Sequence, residues 1–99
     1  MSSTTPEKST GGSVTVRYWA AARAAAGVES DTVEVGSGTT LAAVLKQVRD
    51  LRADRPKLPD VIGVCSILVG DRPVGATDPH DVRLRPGDTI ELLPPFAGG

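Results

Sequence analysis

Cysteine and histidine are nearly missing from this 99-residue chain, which has one of each, Cys65 and His80. A single thiol excludes an internal disulfide, a cysteine-based zinc site and an iron–sulfur cluster, which takes about four thiolates. A single imidazole excludes a multi-histidine metal site. Aromatic residues make up only 3% of the chain, too few to stack bases or line a sugar cleft. An excess of either charge is also lacking. The 11 Lys+Arg residues face 12 Asp+Glu, for a formal net charge of −1. That leaves no basic stripe for nucleic acid and no basic helix for anionic lipid. No apolar run approaches the roughly 20 residues of a bilayer span, and the N-terminus carries no signal pattern. The expectation is a cytoplasmic protein with no bound cofactor, no metal, and no nucleic-acid or membrane partner.

The chain is long enough for one domain. Hydrophobic residues are 39% of it, enough for a small core but not for a deep substrate cavity. Residues 1–13, MSSTTPEKSTGGS, hold no apolar side chain after Met1 and are predicted to be a disordered tail. Residues 14–93 form the predicted domain and residues 94–99 an extended C-terminal tail.

Apolar and polar residues alternate over Val14–Trp19 and again over Asp31–Val35, which predicts two strands, read as antiparallel neighbours. Between them the alanine-rich stretch Ala20–Ala26, closed by Gly27, predicts a short helix. Leu41, Val44, Leu45, Val48 and Leu51 fall at helical spacing behind the cap Thr40, predicting the main helix over about Thr40–Arg52. Two prolines make Ala53–Asp60 a predicted loop. The run Val64–Val69 has the pattern of a central strand, and would bury Cys65 as a structural thiol. Arg72–Val74 reads as a short edge strand, Val82–Leu84 as a brief one, and Thr89–Leu93 as the last strand. One main helix packed on one face of a mixed sheet is an α+β two-layer arrangement. A late strand lying parallel beside the first makes it a β-grasp.

No catalytic constellation is present. His80 has no second histidine or cysteine to form a dyad and reads as a solvated loop residue. Gly36-Ser-Gly38 lacks the Gly-Lys-Ser/Thr of a phosphate loop. Asp50, Asp54 and Asp60 read as separate solvated charges. What remains is the end of the chain, Leu93-Pro-Pro-Phe-Ala-Gly-Gly99. Pro94 and Pro95 cannot donate to a ladder, so the chain should leave the sheet there as a stiff extended arm. Without Cβ atoms, Gly98 and Gly99 can thread a channel too narrow for other residues and present an unhindered carboxylate.

Two stretches carry a resemblance that covers nearly all of residues 14–99. Val16-Arg-Tyr-Trp-Ala-Ala-Ala-Arg-Ala-Ala-Ala-Gly27 is similar to the opening strand, short arginine-bearing helix and glycine of the MoaD/ThiS group of ubiquitin-like sulfur carriers. Arg85-Pro-Gly-Asp-Thr-Ile-Glu-Leu-Leu-Pro-Pro-Phe-Ala-Gly-Gly99 is similar to that group's Gly-Asp turn, last strand and diglycine end. Within the group the chain most resembles the molybdopterin synthase small-subunit branch. Phe96 departs from the smaller aliphatic residue usual there, Ala24 from the common acidic residue, and Gly70 from an asparagine. The resemblance implies a ubiquitin-like β-grasp fold and a role as the sulfur-donating subunit of a sulfurtransferase. An ATP-dependent adenylyltransferase/sulfurtransferase would activate the Gly99 carboxylate as an acyl-adenylate and convert it to a thiocarboxylate. Leu93, Pro94, Pro95, Phe96, Ala97 and Gly98 would dock on and insert into the synthase large subunit, and the sulfur would pass to a pterin precursor. The same fold and tail also suit carriers of sulfur to thiamine or cysteine, and a ubiquitin-like protein modifier.

Overall fold

The computed structural model describes residues 12–95. Residues 1–11, and with them most of the predicted disordered tail, lie outside the described residues.

Strand β1 (Gly12–Tyr18) starts two residues earlier than the sequence predicts. Gly12 pairs with Val35, and Ser13 O accepts a hydrogen bond from Gly87 N at 2.8 Å. Gly12 lies so close to Pro86 that a Cβ on it would come within 2.5 Å of the proline ring. A residue without a side chain therefore extends the strand where composition reads as tail. Helix α1 (Ala20–Ala26) ends on Gly27 at φ +82°, whose N–H reaches Arg23 O at 2.9 Å. Strand β2 (Ser30–Val35) runs antiparallel to β1, as the alternation predicts.

The main helix, α2 (Leu41–Leu51), is capped by Thr40, whose hydroxyl accepts from Ala43 N at 3.2 Å. Leu41, Val44, Leu45 and Val48 are buried against the sheet, but Leu51 is 56% exposed. At about 100° per residue, Leu51 lies some 70° off the centre of the stripe that the other four define, whereas Arg52 returns close to it. The inner face thus ends on an arginine rather than on the predicted leucine.

Helix α3 (Leu58–Val64) replaces part of the predicted loop and the first residue of the predicted central strand. Pro59 stands in its first turn, where its missing N–H costs nothing. Leu58 and Ile62 are buried, Val64 is exposed, and Cys65 follows the helix rather than lying in a strand. Strand β3 is accordingly short (Ser66–Val69), with Ile67 and Val69 half-buried. Strand β4 (Arg72–Pro73) is an edge strand, and Arg83 makes a single bridge to Thr40. Strand β5 (Thr89–Leu93) closes the sheet.

The sheet order is β2-β1-β5-β3-β4, with β5 parallel to β1 and antiparallel to β3. Val14, Val16 and Tyr18 of β1 and Ile90 and Leu92 of β5 face the helices and form the core with α2. Thr15, Arg17, Leu68, Glu91 and Leu93 lie on the opposite, more open face, where none of them is buried. This is the mixed-sheet, one-main-helix β-grasp that the sequence predicts.

Candidate functional site

The predicted site hangs from the end of β5. Of its residues, Leu93, Pro94 and Pro95 are described, whereas Phe96, Ala97, Gly98 and Gly99 lie outside the described residues. β5 is a central strand, so its end is held on both sides. On one side Ser66 is the ladder partner of Leu93. On the other, Trp19 N donates to Leu92 O at 3.2 Å. Ladder bonding stops at Pro94, which has no N–H to give. Leu93 and Pro94 are half-buried and Pro95 is exposed, so the apolar surface at this junction is only partly open.

Two side-chain clusters flank this point, and neither was among the predicted site residues. On the core side, the Tyr18 hydroxyl donates to Asp31 Oδ2 at 2.7 Å, and Arg52 Nε donates to the same oxygen at 3.0 Å. Arg52 Nη2 also pairs with Asp31 Oδ1. Burial would raise the Asp31 pKa, but the hydrogen bonds from Arg52 and Tyr18 and the guanidinium charge outweigh it and hold the carboxyl below its ordinary value. Burial, then the bond to Asp31, pushes the Tyr18 phenol well above its usual range, so it stays a donor. The network ties β1, β2 and the end of α2 together. A sequence signal for it existed, in an aspartate at an inward strand position and an arginine on the inner helix face. Only the fold pairs them.

On the open face, the Trp19 indole N–H donates to Glu91 Oε1 at 3.0 Å. The Arg17 guanidinium stands 4.6 Å from the centre of the indole ring and 3.8 Å from the same Glu91 oxygen. Trp19 is 37% exposed, and it borders the point where the tail leaves the sheet.

The other sequence candidates stay apart. The Cys65 thiol is partly buried, and burial pushes its pKa up, away from thiolate chemistry. His80 lies on an exposed 3₁₀ turn, with Nδ1 2.9 Å from Asp78 Oδ1. Among the described residues no group of histidine, cysteine or acidic side chains could hold a metal ion, and no helix is long and apolar enough to cross a membrane. A concavity of about 740 Å³ lies around Asp88 at the start of β5, away from the tail, and its rim mixes arginines with aspartates. The described residues offer a central strand, held on both sides, from whose end the chain continues to the diglycine.

Comparison with known proteins agrees with this fold. The model of the ThiS family matches residues 16–99. A molybdopterin synthase sulfur carrier subunit from Chlamydomonas reinhardtii is 31% identical over 86 residues, 87% of this chain and 98% of that protein. Among solved structures, small archaeal modifier protein 1 from Methanosarcina acetivorans superposes with a TM-score of 0.70 at 25% identity, covering 90% of this chain and 98% of the other. A complex of subunits 1 and 2 of molybdopterin-converting factor from Helicobacter pylori contains a chain with a TM-score of 0.56 at 28% identity, covering 88% and 99%.

Proposed function

This chain belongs to the ThiS family, and from that membership we propose that it is the sulfur carrier subunit of a molybdopterin synthase, bearing sulfur as a thiocarboxylate on Gly99. The observation that carries this reading is the similarity to a named sulfur carrier along 98% of that protein's length. The diglycine end, set just beyond a central strand, supports it.

The chemistry follows from the carboxylate. Its carbonyl is electron-rich and its leaving group poor, so sulfur nucleophiles do not displace oxygen directly. A partner adenylyltransferase joins the Gly99 carboxylate to AMP and releases pyrophosphate. A persulfide then displaces AMP to form an acyl disulfide. A second thiol, itself oxidised to a disulfide, releases the thiocarboxylate. The carrier contributes a reacting atom on a narrow arm, and the acid–base and phosphate-binding groups belong to the partners.

The large synthase subunit is the proposed receiver, in keeping with the two-subunit assembly of the Helicobacter pylori factor. The test combines the thiocarboxylated chain with the large subunit and a pterin precursor. Product carrying sulfur from the chain supports the reading. Binding without transfer contradicts it. The likeness to an archaeal modifier protein favours one second reading, in which Gly99 is joined to lysines of target proteins. Lysine-linked conjugates in place of sulfurated pterin would select it.

A further inference from the structure

The open-face cluster at the root of the tail has no part in the reading above. The indole N–H of Trp19 is donated to Glu91, and its ring is stacked under Arg17, which also faces Glu91. The backbone N–H of the same residue holds Leu92 O. One residue therefore grips β5 twice, by main chain at Leu92 and by side chain at Glu91. The grip lies immediately before Pro94, the first position that cannot continue the ladder. Beneath it, Tyr18 is anchored in the core by Asp31 and Arg52. The end of β5 is thus held by Trp19 and lies beside Tyr18, which is itself anchored in the core.

We propose that Trp19 is a positioning residue: with Glu91 and Arg17 it forms a clamp that fixes the direction in which the chain leaves the sheet after Leu93. Through that direction it sets the rate at which the Gly99 carboxylate reacts on its activating enzyme. The second part rests on the carrier reading. A reacting group at the end of a short arm depends on the angle at the arm's root, and a misplacement of about 1 Å can cost a hundredfold in rate. The proline rings at Pro94 and Pro95 fix φ and so stiffen the root of the tail.

The test uses the full chain and its adenylyltransferase from the same organism, with ATP–pyrophosphate exchange as the rate. Trp19→Phe keeps an aromatic ring and loses the indole N–H. Glu91→Ala loses the acceptor, and Glu91→Gln restores an acceptor oxygen. The clamp predicts kcat lower by about tenfold in Trp19→Phe and in Glu91→Ala, with KM little changed. The double variant should be no worse than Glu91→Ala alone, because that change already breaks the bond to Trp19. Glu91→Gln should recover most of the rate. Wild-type kcat in both single variants, additive losses, or a raised KM at unchanged kcat would overturn the proposal, the last in favour of direct contact with the enzyme.

A second readout needs no enzyme. The chain has one tryptophan, so its indole N–H is a single resonance. In Glu91→Ala it should exchange faster with solvent, and the residual dipolar coupling of the Phe96 amide, the first N–H beyond the prolines, should fall. An unchanged Phe96 coupling would overturn the clamp even if the wild-type chain proved not to be adenylated. Failure of the wild-type chain to react at all would instead count against the carrier reading.

Discussion

At the scale of single residues, Asp31 is the most consequential buried polar group. It is the one charged residue in the core among the described residues, and it is tolerated because Arg52 and Tyr18 satisfy it. Its folded pKa is depressed, so the unfolded chain binds the proton more readily. The stabilisation is complete above the ordinary value of 3.8 and is lost as pH falls from there through the lowered folded value. Asp31→Asn should cost about 1–3 kcal/mol near neutrality, since it weakens a charged hydrogen-bond pair and leaves Arg52 without its counter-charge. Its denaturation midpoint should then fall less than that of the wild type below about pH 4. Parallel urea midpoints of the two proteins across that range would contradict the assignment.

Phe96 lies beyond the described residues, and its predicted role comes from its place between the prolines and the diglycine. A large apolar side chain there is suited to a buried anchor in a partner. Phe96→Asp should weaken association with the large subunit at least tenfold, about 1.4 kcal/mol, with an unchanged melting temperature. Isothermal titration giving an unaltered Kd would remove Phe96 from the interface.

At the scale of elements, α2 offers a comparison within one helix. Leu45 is 6% exposed and Leu51 is 56% exposed, although both belong to the apolar periodicity that predicts the helix. Leu45→Ala should cost about 2–5 kcal/mol, a cavity in the core. Leu51→Ala should stay within about 0.5 kcal/mol. Equal losses in thermal unfolding would mean that the helix is rotated from its described setting.

The same contrast explains what the sequence discloses. Strands β1 and β2 were legible because apolar and polar residues alternate along them, and their inward residues, such as Val16, are buried. α3 was not legible. Its seven residues begin Leu-Pro-Asp and run into the β-branched stretch Val64-Cys-Ser-Ile-Leu-Val69, where short apolar runs do not separate helix from strand. Its helical state comes from tertiary packing, with Leu58 and Ile62 in the core. The Gly27 backbone also comes up against Arg55, so closely that a side chain at Gly27 would collide with the guanidinium. Of the site, the tail was legible as a motif. Tyr18–Asp31–Arg52 and Trp19–Glu91 were not, because their partners are 13 to 72 residues apart in sequence.

At the scale of the whole molecule, the two parallel central strands, β1 and β5, carry the architecture. β5 ends in the root of the tail, between a buried network on one face and an exposed aromatic clamp on the other. A strand paired on both sides is well suited to hold the chain that continues from it at a defined angle. In the proposed carrier the reacting group is the Gly99 carboxylate, and its position along the chain is what matters most. Removing Gly99 withdraws that carboxylate by about 3.5 Å, well beyond the ~1 Å that already slows a positioned reaction by orders of magnitude. The domain itself should be unaffected, since glycine contributes no side-chain packing.

The most direct measurement is therefore the intact mass of the full chain and of the chain lacking Gly99, after incubation with adenylyltransferase, ATP and a sulfur donor. The full chain should gain about 16 Da, the difference between sulfur and oxygen, and the truncated chain, with the same melting temperature, should gain nothing. A full chain that stays at its starting mass, or a truncated chain thiocarboxylated at the same rate, would contradict a carrier whose sulfur rides on Gly99.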